Sequence, residues 1–348
     1  MRVAIVLFNL GGPDSPKAVE PFLRNLFSDP SIISLPKLFR LPLAHLIARR
    51  RAPIARDIYS KIGGRSPILE ESEAQARALE IALDSRDTES RCFIAMRVWK
   101  PFADETARAV LAWSPEMVVL LPLYPQFSTT TTASSLADWY RSAREAGLAV
   151  PHSRICCYPW LEGFVAGEAA LVVAALNQKQ PGVDYRLLLS AHGLPKRTIL
   201  KGDPYQWQVE KTAEAIVDEL GIGGLDWQLC YQSRVGPLKW IGPSTDAEIH
   251  RAGADRKGVI IAPIAFVSEH SETLVELDIE YAKLAERSGV PHYVRVPAVG
   301  THPLFIAGLA AQVRRAINGE AVVTCGNGRI CPQRLMQCGY GAGQCLTG

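Results

Sequence analysis

The chain predicts an α/β protein of two similar Rossmann-like domains, each a doubly wound parallel sheet, with a cleft between them. Apolar strand-like segments alternate with amphipathic helix-like segments from one end to the other. Some strands are apolar without a break, as in Val118-Val119-Leu120-Leu121, which suits a parallel sheet covered on both faces. Three strand exits also recur in the same order. Leu7-Phe8-Asn9-Leu10-Gly11-Gly12-Pro13 parallels Leu189-Ser190-Ala191-His192-Gly193-Leu194-Pro195. Met96-Arg97-Val98-Trp99-Lys100-Pro101 parallels Gln232-Ser233-Arg234-Val235-Gly236-Pro237, and Leu121-Pro122-Leu123-Tyr124-Pro125 parallels Ala262-Pro263-Ile264-Ala265-Phe266. One match means little; three in order point to a duplicated unit whose ligand lies beyond the carboxyl ends of the strands.

In order, apolar strands read at Val3–Asn9, Cys92–Val98, Met117–Leu123, Ser153–Tyr158, Tyr185–Ala191, Trp227–Tyr231, Gly258–Ala265 and Tyr293–Val296. Amphipathic helices read at Pro16–Leu26, Glu70–Leu83, Asp104–Ala112, Ser134–Glu145, Leu161–Leu176, Tyr205–Leu220, Glu269–Arg287 and Pro303–Ile317. The expected division is an N-terminal domain over 1–148, a C-terminal domain over 149–320 and a cysteine-rich tail over 321–348. The first half carries an insertion, about 28–67, whose apolar middle from Ile33 to Ile47 ends in Ala48-Arg49-Arg50-Arg51.

Hydrophobic residues make up 48% and charged residues 21%, the balance of a globular protein. A net charge of +3, with no aromatic-and-basic repeat, gives no case for nucleic acid. No apolar run reaches the roughly 18 residues of a membrane span. The chain enters its first strand without a basic leader or cleavage site, so a cytoplasmic location is expected. Gly11-Gly12-Pro13 and Gly63-Gly64-Arg65-Ser66 fit no nucleotide fingerprint, which excludes that ligand class.

The candidate chemistry sits at two strand exits. His192 follows an apolar strand and precedes Gly193 and Pro195; a neutral imidazole there is a competent base and a ligand for divalent iron. Glu269, Glu272, Glu276 and Glu280 fall on one side of the helix expected after Gly258–Ala265, where crowded carboxylates raise one another's pKa and ease proton pick-up. A solvated acidic face is the plain alternative. Arg97, Trp99, Arg234 and Trp240 come from the exits of the second strand in each half: rings to stack, guanidinium groups to pair with carboxylates or to hold loops.

The segments at His192, Gln232–Pro237 and Ser268–Glu276 together resemble the ferrochelatases, which insert ferrous iron into protoporphyrin, and the resemblance runs from Ala4 to about Asn318. It implies a chelatase-like fold and an enzyme of the last step of haem synthesis. It makes His192 the metal- and proton-handling residue, with Glu272 facing it across the porphyrin as catalytic partner and iron ligand. Glu269, His270, Glu276 and Glu280 then continue a path for metal and protons. Leu10, Tyr59, Ser66, Arg97, Trp240 and Phe266 become porphyrin-wall residues, and Arg51 a basic residue near the propionate end. Glu269 stands where the family often has Asp, and Val98 where many relatives have Tyr. The insertion matches the family's apolar lip, with its other face in the core, and brings in the inner-membrane surface as a partner and a peripheral place on its cytoplasmic side. Competing readings are a coproporphyrin ferrochelatase, another tetrapyrrole metal chelatase, or a non-catalytic haem or iron–sulfur protein.

Cys325, Cys331, Cys338 and Cys345 crowd the tail, and four thiolates suffice for a [2Fe–2S] cluster or a zinc ion. No Cys-x2-Cys pair is present, so the zinc-ribbon pattern fails. Several ferrochelatases carry a [2Fe–2S] cluster on such an extension and pair through it as homodimers. The animal-type arrangement takes one ligand from the segment equivalent to Tyr124–Leu136, where this chain has Thr129. The expectation is that the four tail cysteines hold the cluster alone, while Cys92, Cys156, Cys157 and Cys230 act as small hydrophobes.

Overall fold

The computed structural model describes residues 1–234 and 238–341. Its strands are β1 (Arg2–Asn9), β2 (Glu89–Met96), β3 (Met117–Pro122), β4 (His152–Cys157), β5 (Tyr185–His192), β6 (Trp227–Gln232), β7 (Gly258–Pro263), β8 (Tyr293–Arg295) and β9 (Val322–Thr324). Its α-helices are α1 (Val19–Ser28), α2 (Lys37–Ser60), α3 (Ile68–Leu83), α4 (Ala103–Trp113), α5 (Thr132–Ala146), α6 (Glu162–Leu176), α7 (Lys196–Leu200), α8 (Tyr205–Leu220), α9 (Thr245–Ala254), α10 (Ala282–Arg287) and α11 (Pro303–Ile317). A π-helix, Glu272–Tyr281, runs directly into α10.

Alternation of side chains along buried strands builds the layers. On β1, Val3, Ile5 and Leu7 face α3 and α11, while Ala4, Val6 and Phe8 face α4 and α5. On β5, Leu187, Leu189 and Ala191 face α6 and α8, while Leu188 meets α9 and the π-helix through Ile249, Leu277 and Tyr281. The sheets run β2-β1-β3-β4-β9 and β6-β5-β7-β8, all pairs parallel. Apart from β9, the second order repeats the first strand for strand, with the crossover reversing between β1 and β3 and between β5 and β7. Ligands bind at such reversals in doubly wound sheets.

The expected division at residue 148 is corrected by sheet membership. β4 lies beyond it yet pairs with β3, and β9 of the tail pairs with β4. Helix α11 also returns to the first half: Phe305, Leu309, Ala310 and Val313 pack with Val3, Ile5 and Leu7. The cause is its apolar face, which completes a cover that the N-terminal helices leave open.

The insertion is one long helix, α2, packed on α1. Ala44, Ala48 and Ala52 recur at four-residue spacing and are buried with Tyr59. Leu38 (78%), Phe39 (64%) and Leu41 near its start, and Leu46 and Ile54 further on, are exposed. One helix thus supplies both core contacts and exposed apolar side chains. Buried side chains tie the halves together: Gln75 Nε2 donates to Val267 O (2.7 Å) and Gly300 O (3.0 Å), and Gln126 Nε2 to Thr212 Oγ1 (2.9 Å) and Ile264 O (3.1 Å).

Candidate active site

His192 ends β5, and the chain that leaves β7 turns through Phe266 and Ser268 into the π-helix, so both arrive at the β5/β7 reversal. The His192 Nδ1 lies 2.8 Å from Glu272 Oε2. Glu272 therefore stands beside the imidazole. The expectation that it faces His192 across a ring is wrong: no macrocycle fits between atoms in hydrogen-bond contact. The first turn of the π-helix folds back onto the end of β5, and residues 80 positions apart become direct partners.

Ser233, the residue after β6, extends the chain of contacts. Its Oγ donates to Glu276 Oε2 (2.5 Å) and lies 3.2 Å from Glu272 Oε2, and its backbone N–H donates to Glu276 Oε1 (2.8 Å). Gln232 Nε2 donates to Glu276 Oε2 (3.1 Å) and to the Glu272 carbonyl (3.0 Å). Ser233 sits at φ 60°, a left-handed conformation that costs free energy outside glycine and concentrates at functional sites. An α-helix would hold Glu272 and Glu276 on one face as well. The i→i+5 bonding of a π-helix widens each turn by about one residue, which brings the Tyr281 hydroxyl to donate to Glu276 Oε1 at 3.1 Å, while Val275 and Leu277 are buried.

Electrostatics divides the roles. Burial disfavours charge on His192, but the Glu272 carboxylate outweighs it and raises the imidazole pKa above its usual value. Burial also works against Glu272; the His192 and His270 rings and the Ser233 hydroxyl prevail and bring it to about 2. Glu276 goes the other way, raised by burial and by its neighbour Glu272. His270 is buried with Nδ1 3.1 Å from Ser268 O and Nε2 4.0 Å from Glu272 Oε2, and burial lowers its pKa. The Phe266 ring stands edge-on to His192 at 6.3 Å and 4.6 Å from His270.

The remaining expected residues separate into wall and scaffold. Trp240 bridges to Pro195 in the turn after His192. Leu10 packs with Val98 and Trp99, and Tyr59, its hydroxyl pushed up to about 12 by burial, receives Ser271 Oγ at 3.5 Å. Ser66 is buried, touching the space a Cβ on Gly12 would fill, so glycine is required there for close packing. Arg51 is exposed on α2. Glu280 is at the surface, 3.6 Å from Lys61. Two expectations need correction. Glu269 turns away from His192 to Arg295 (2.5 Å) and the Ala298 N–H (2.9 Å), which lower its pKa. Arg97 is held by Asp29 (2.8 Å), Ser134 (2.7 Å) and Asp138 (3.7 Å), so its guanidinium fixes a loop. Ser233 and Gln232 went unassigned; the only sequence signal was their place in the repeated exit motif.

In the tail, Cys325 N donates to Cys157 O (3.3 Å), and Gln208 Nε2 lies 3.4 Å from Cys157 Sγ and 3.1 Å from Cys331 Sγ. The neighbouring Cys331 thiol lowers the pKa of Cys338. Gln208 thus lies between Cys157 of β4 and Cys331 of the tail. β9 brings this about by pairing the tail beside that strand. Among the described residues no three His, Cys, Asp or Glu side chains stand ready to hold a metal ion, and Cys345 lies outside them.

The paired parallel sheets have a chelatase-like fold. The sirohydrochlorin chelatase of Bacillus subtilis subspecies spizizenii, solved with cobalt, superposes with a TM-score of 0.53 at 12% identity, over 92% of this chain and 97% of that one. Within that class, the family model for ferrochelatase matches residues 2–317, and the chain belongs to the ferrochelatase family, enzymes that insert iron into porphyrin. Ferrochelatases of Caulobacter vibrioides (54% identical; 93% of this chain, 94% of the relative) and Phenylobacterium zucineum (52%; 97% and 98%) are among its relatives.

Proposed function

We propose that the enzyme inserts ferrous iron, its metal substrate, into protoporphyrin with His192 as the base. The hydrogen-bonded row His192–Glu272–Ser233–Glu276 at the β5/β7 reversal carries this reading. With Nδ1–H donated to Glu272, the lone pair of the imidazole is on Nε2, free to take a pyrrole proton or to meet iron. Protoporphyrin loses two N–H protons as one Fe²⁺ enters. Each proton taken at Nε2 is relayed from Nδ1 through Glu272 and the Ser233 hydroxyl to Glu276, whose raised pKa makes it the better acceptor. Phe266, Trp240 and Leu10 supply apolar wall, and Glu280 the exit to solvent. A steady-state assay with ferrous iron tests this by comparing protoporphyrin with coproporphyrin: faster turnover of coproporphyrin would overturn the substrate assignment.

The exposed apolar side chains of α2 support protoporphyrin, which carries two vinyl groups where coproporphyrin carries two further carboxylates. It also supports docking of Leu38 and Phe39 into the inner-membrane surface from the cytoplasmic side. No helix among the described residues is long and apolar enough to cross a membrane. Sedimentation with anionic vesicles tests the docking, and Phe39→Asp should abolish it. A [2Fe–2S] cluster on Cys325, Cys331, Cys338 and Cys345 is supported by the four thiols that the tail carries; bound there it would supply one-electron chemistry. Absorbance and EPR spectra with iron and sulfide analysis test it, and a colourless protein without both elements ends the idea.

A further inference from the structure

The row that begins at His192 does not end at Glu276. The Tyr281 hydroxyl donates to Glu276 Oε1 at 3.1 Å and lies 3.5 Å from Asp246 Oδ2. In an α-helix, residues five apart point about 140° away from each other; the i→i+5 bonding of the π-helix sets Tyr281 over Glu276 instead. Tyr281 is buried against Ile249 and Ala252 of α9, and burial beside two carboxylates keeps its hydroxyl protonated. Asp246, in the first turn of that helix, is exposed to solvent. The turn is fixed in place: Ser244 Oγ accepts from Ala247 N–H at 3.2 Å, and the buried Thr245 Oγ1 lies 3.1 Å from Ser190 Oγ on the strand that carries His192. Glu280, four residues beyond Glu276, meets water too but stands 3.6 Å from Lys61.

We propose that Tyr281 and Asp246 form a second proton exit, from Glu276 to solvent at the start of α9. The exit rests on His192 being the base. A proton delivered to Glu276 leaves as the carboxyl O–H bond breaks and a new O–H bond forms on the Tyr281 oxygen. The original Tyr281 O–H, turned toward Asp246, breaks in the same event, and the Asp246 carboxylate accepts its proton. Asp246 then gives the proton to water. Glu276 returns to the carboxylate, the tyrosine stays neutral throughout, and rotation of its hydroxyl resets the path. Both residues act on the reaction through Glu276.

Proton release and haem formation, followed together in the full-length enzyme in dilute MES buffer, test the exit. Asp246→Asn keeps size and hydrogen bonding at an exposed position but cannot carry the proton. It should delay proton release and lower kcat roughly tenfold, less than the 10²–10⁴ of a lone acid or base because Glu280 remains open. KM for porphyrin should stay unchanged, and the solvent deuterium isotope effect on kcat should grow. Concentrated MES, a proton carrier in solution, should restore kcat in Asp246→Asn but not in Tyr281→Phe, whose missing hydroxyl is buried. The double variant should be no slower than Tyr281→Phe alone. An Asp246→Asn enzyme that matches the parent in dilute buffer, or one that is slow but indifferent to MES, would overturn the exit. If the parent forms no haem, the assigned function fails instead. Exchange of the Tyr281 hydroxyl proton with water, read by NMR of tyrosine-labelled protein, still reports on the exit: Asp246→Asn should slow it, and an unchanged rate overturns the proposal.

Discussion

At the exit of β1 the chain places Leu10; at the exit of β5, the same topological position, it places His192. After β2 stands Arg97, bound to Asp29 and Asp138; after β6 stands Ser233, bound to two carboxylates. One strand order thus carries two unlike exits. The first half offers apolar wall and a self-satisfied ion-pair network, and the second offers a base with a graded row of carboxylates. A duplicated fold duplicates the place where a ligand can lie. The chemistry depends on which side chains have partners of opposite tendency beside them.

The largest test of this asymmetry compares His192→Ala with Leu10→Ala. Removing the base should cost roughly 10²–10⁴-fold in kcat, with porphyrin binding retained in fluorescence titrations. Leu10→Ala should weaken binding and leave kcat near that of the parent. An equal loss of kcat in both variants would break the comparison.

Glu272→Gln comes next, with an expected loss of roughly 10–100-fold and a displaced pH profile. The imidazole must be neutral to accept a proton, and Glu272 raises its pKa, so kcat/KM should rise with pH through a value above that of ordinary histidine. Without the carboxylate, burial lowers the pKa against Glu276 alone, and the rising limb should move to lower pH. A limb that stays in place would separate Glu272 from the imidazole's titration.

Ser233→Ala should lower kcat by about tenfold, since it removes one bridging hydroxyl from a charged row. Its backbone N–H still reaches Glu276, so folding should survive, as a thermal melt would verify. Arg97→Met, in the first half, should leave kcat of the folded enzyme nearly untouched and reduce stability by roughly 3–5 kcal/mol, because Asp29 is buried and loses its partner. The urea midpoint reads that loss. A kcat defect without a stability defect would return Arg97 to the porphyrin.

Local pattern made much of this legible. β1, β3 and β7 read directly because their residues are apolar on both faces, and α8 and α11 read because three- and four-residue spacing persists over four turns. β9 did not read: three residues pair only because β4 offers an edge. The π-helix did not read either, since its apolar spacing over ten residues is also that of an α-helix.

The chain alone determined the alternation of elements, the duplicated strand order, and the arrival of an imidazole and several carboxylates at strand exits, because these follow from spacing along a backbone. The partner each group finds was decided in three dimensions. His192 beside Glu272, Arg97 locked to Asp29, Glu269 turned to Arg295 and Cys157 bonded to Cys325 of the tail are pairings between residues 26 to 168 positions apart. Such pairings obey burial and charge in the folded interior, where an unpaired ion costs most, and no local pattern encodes them.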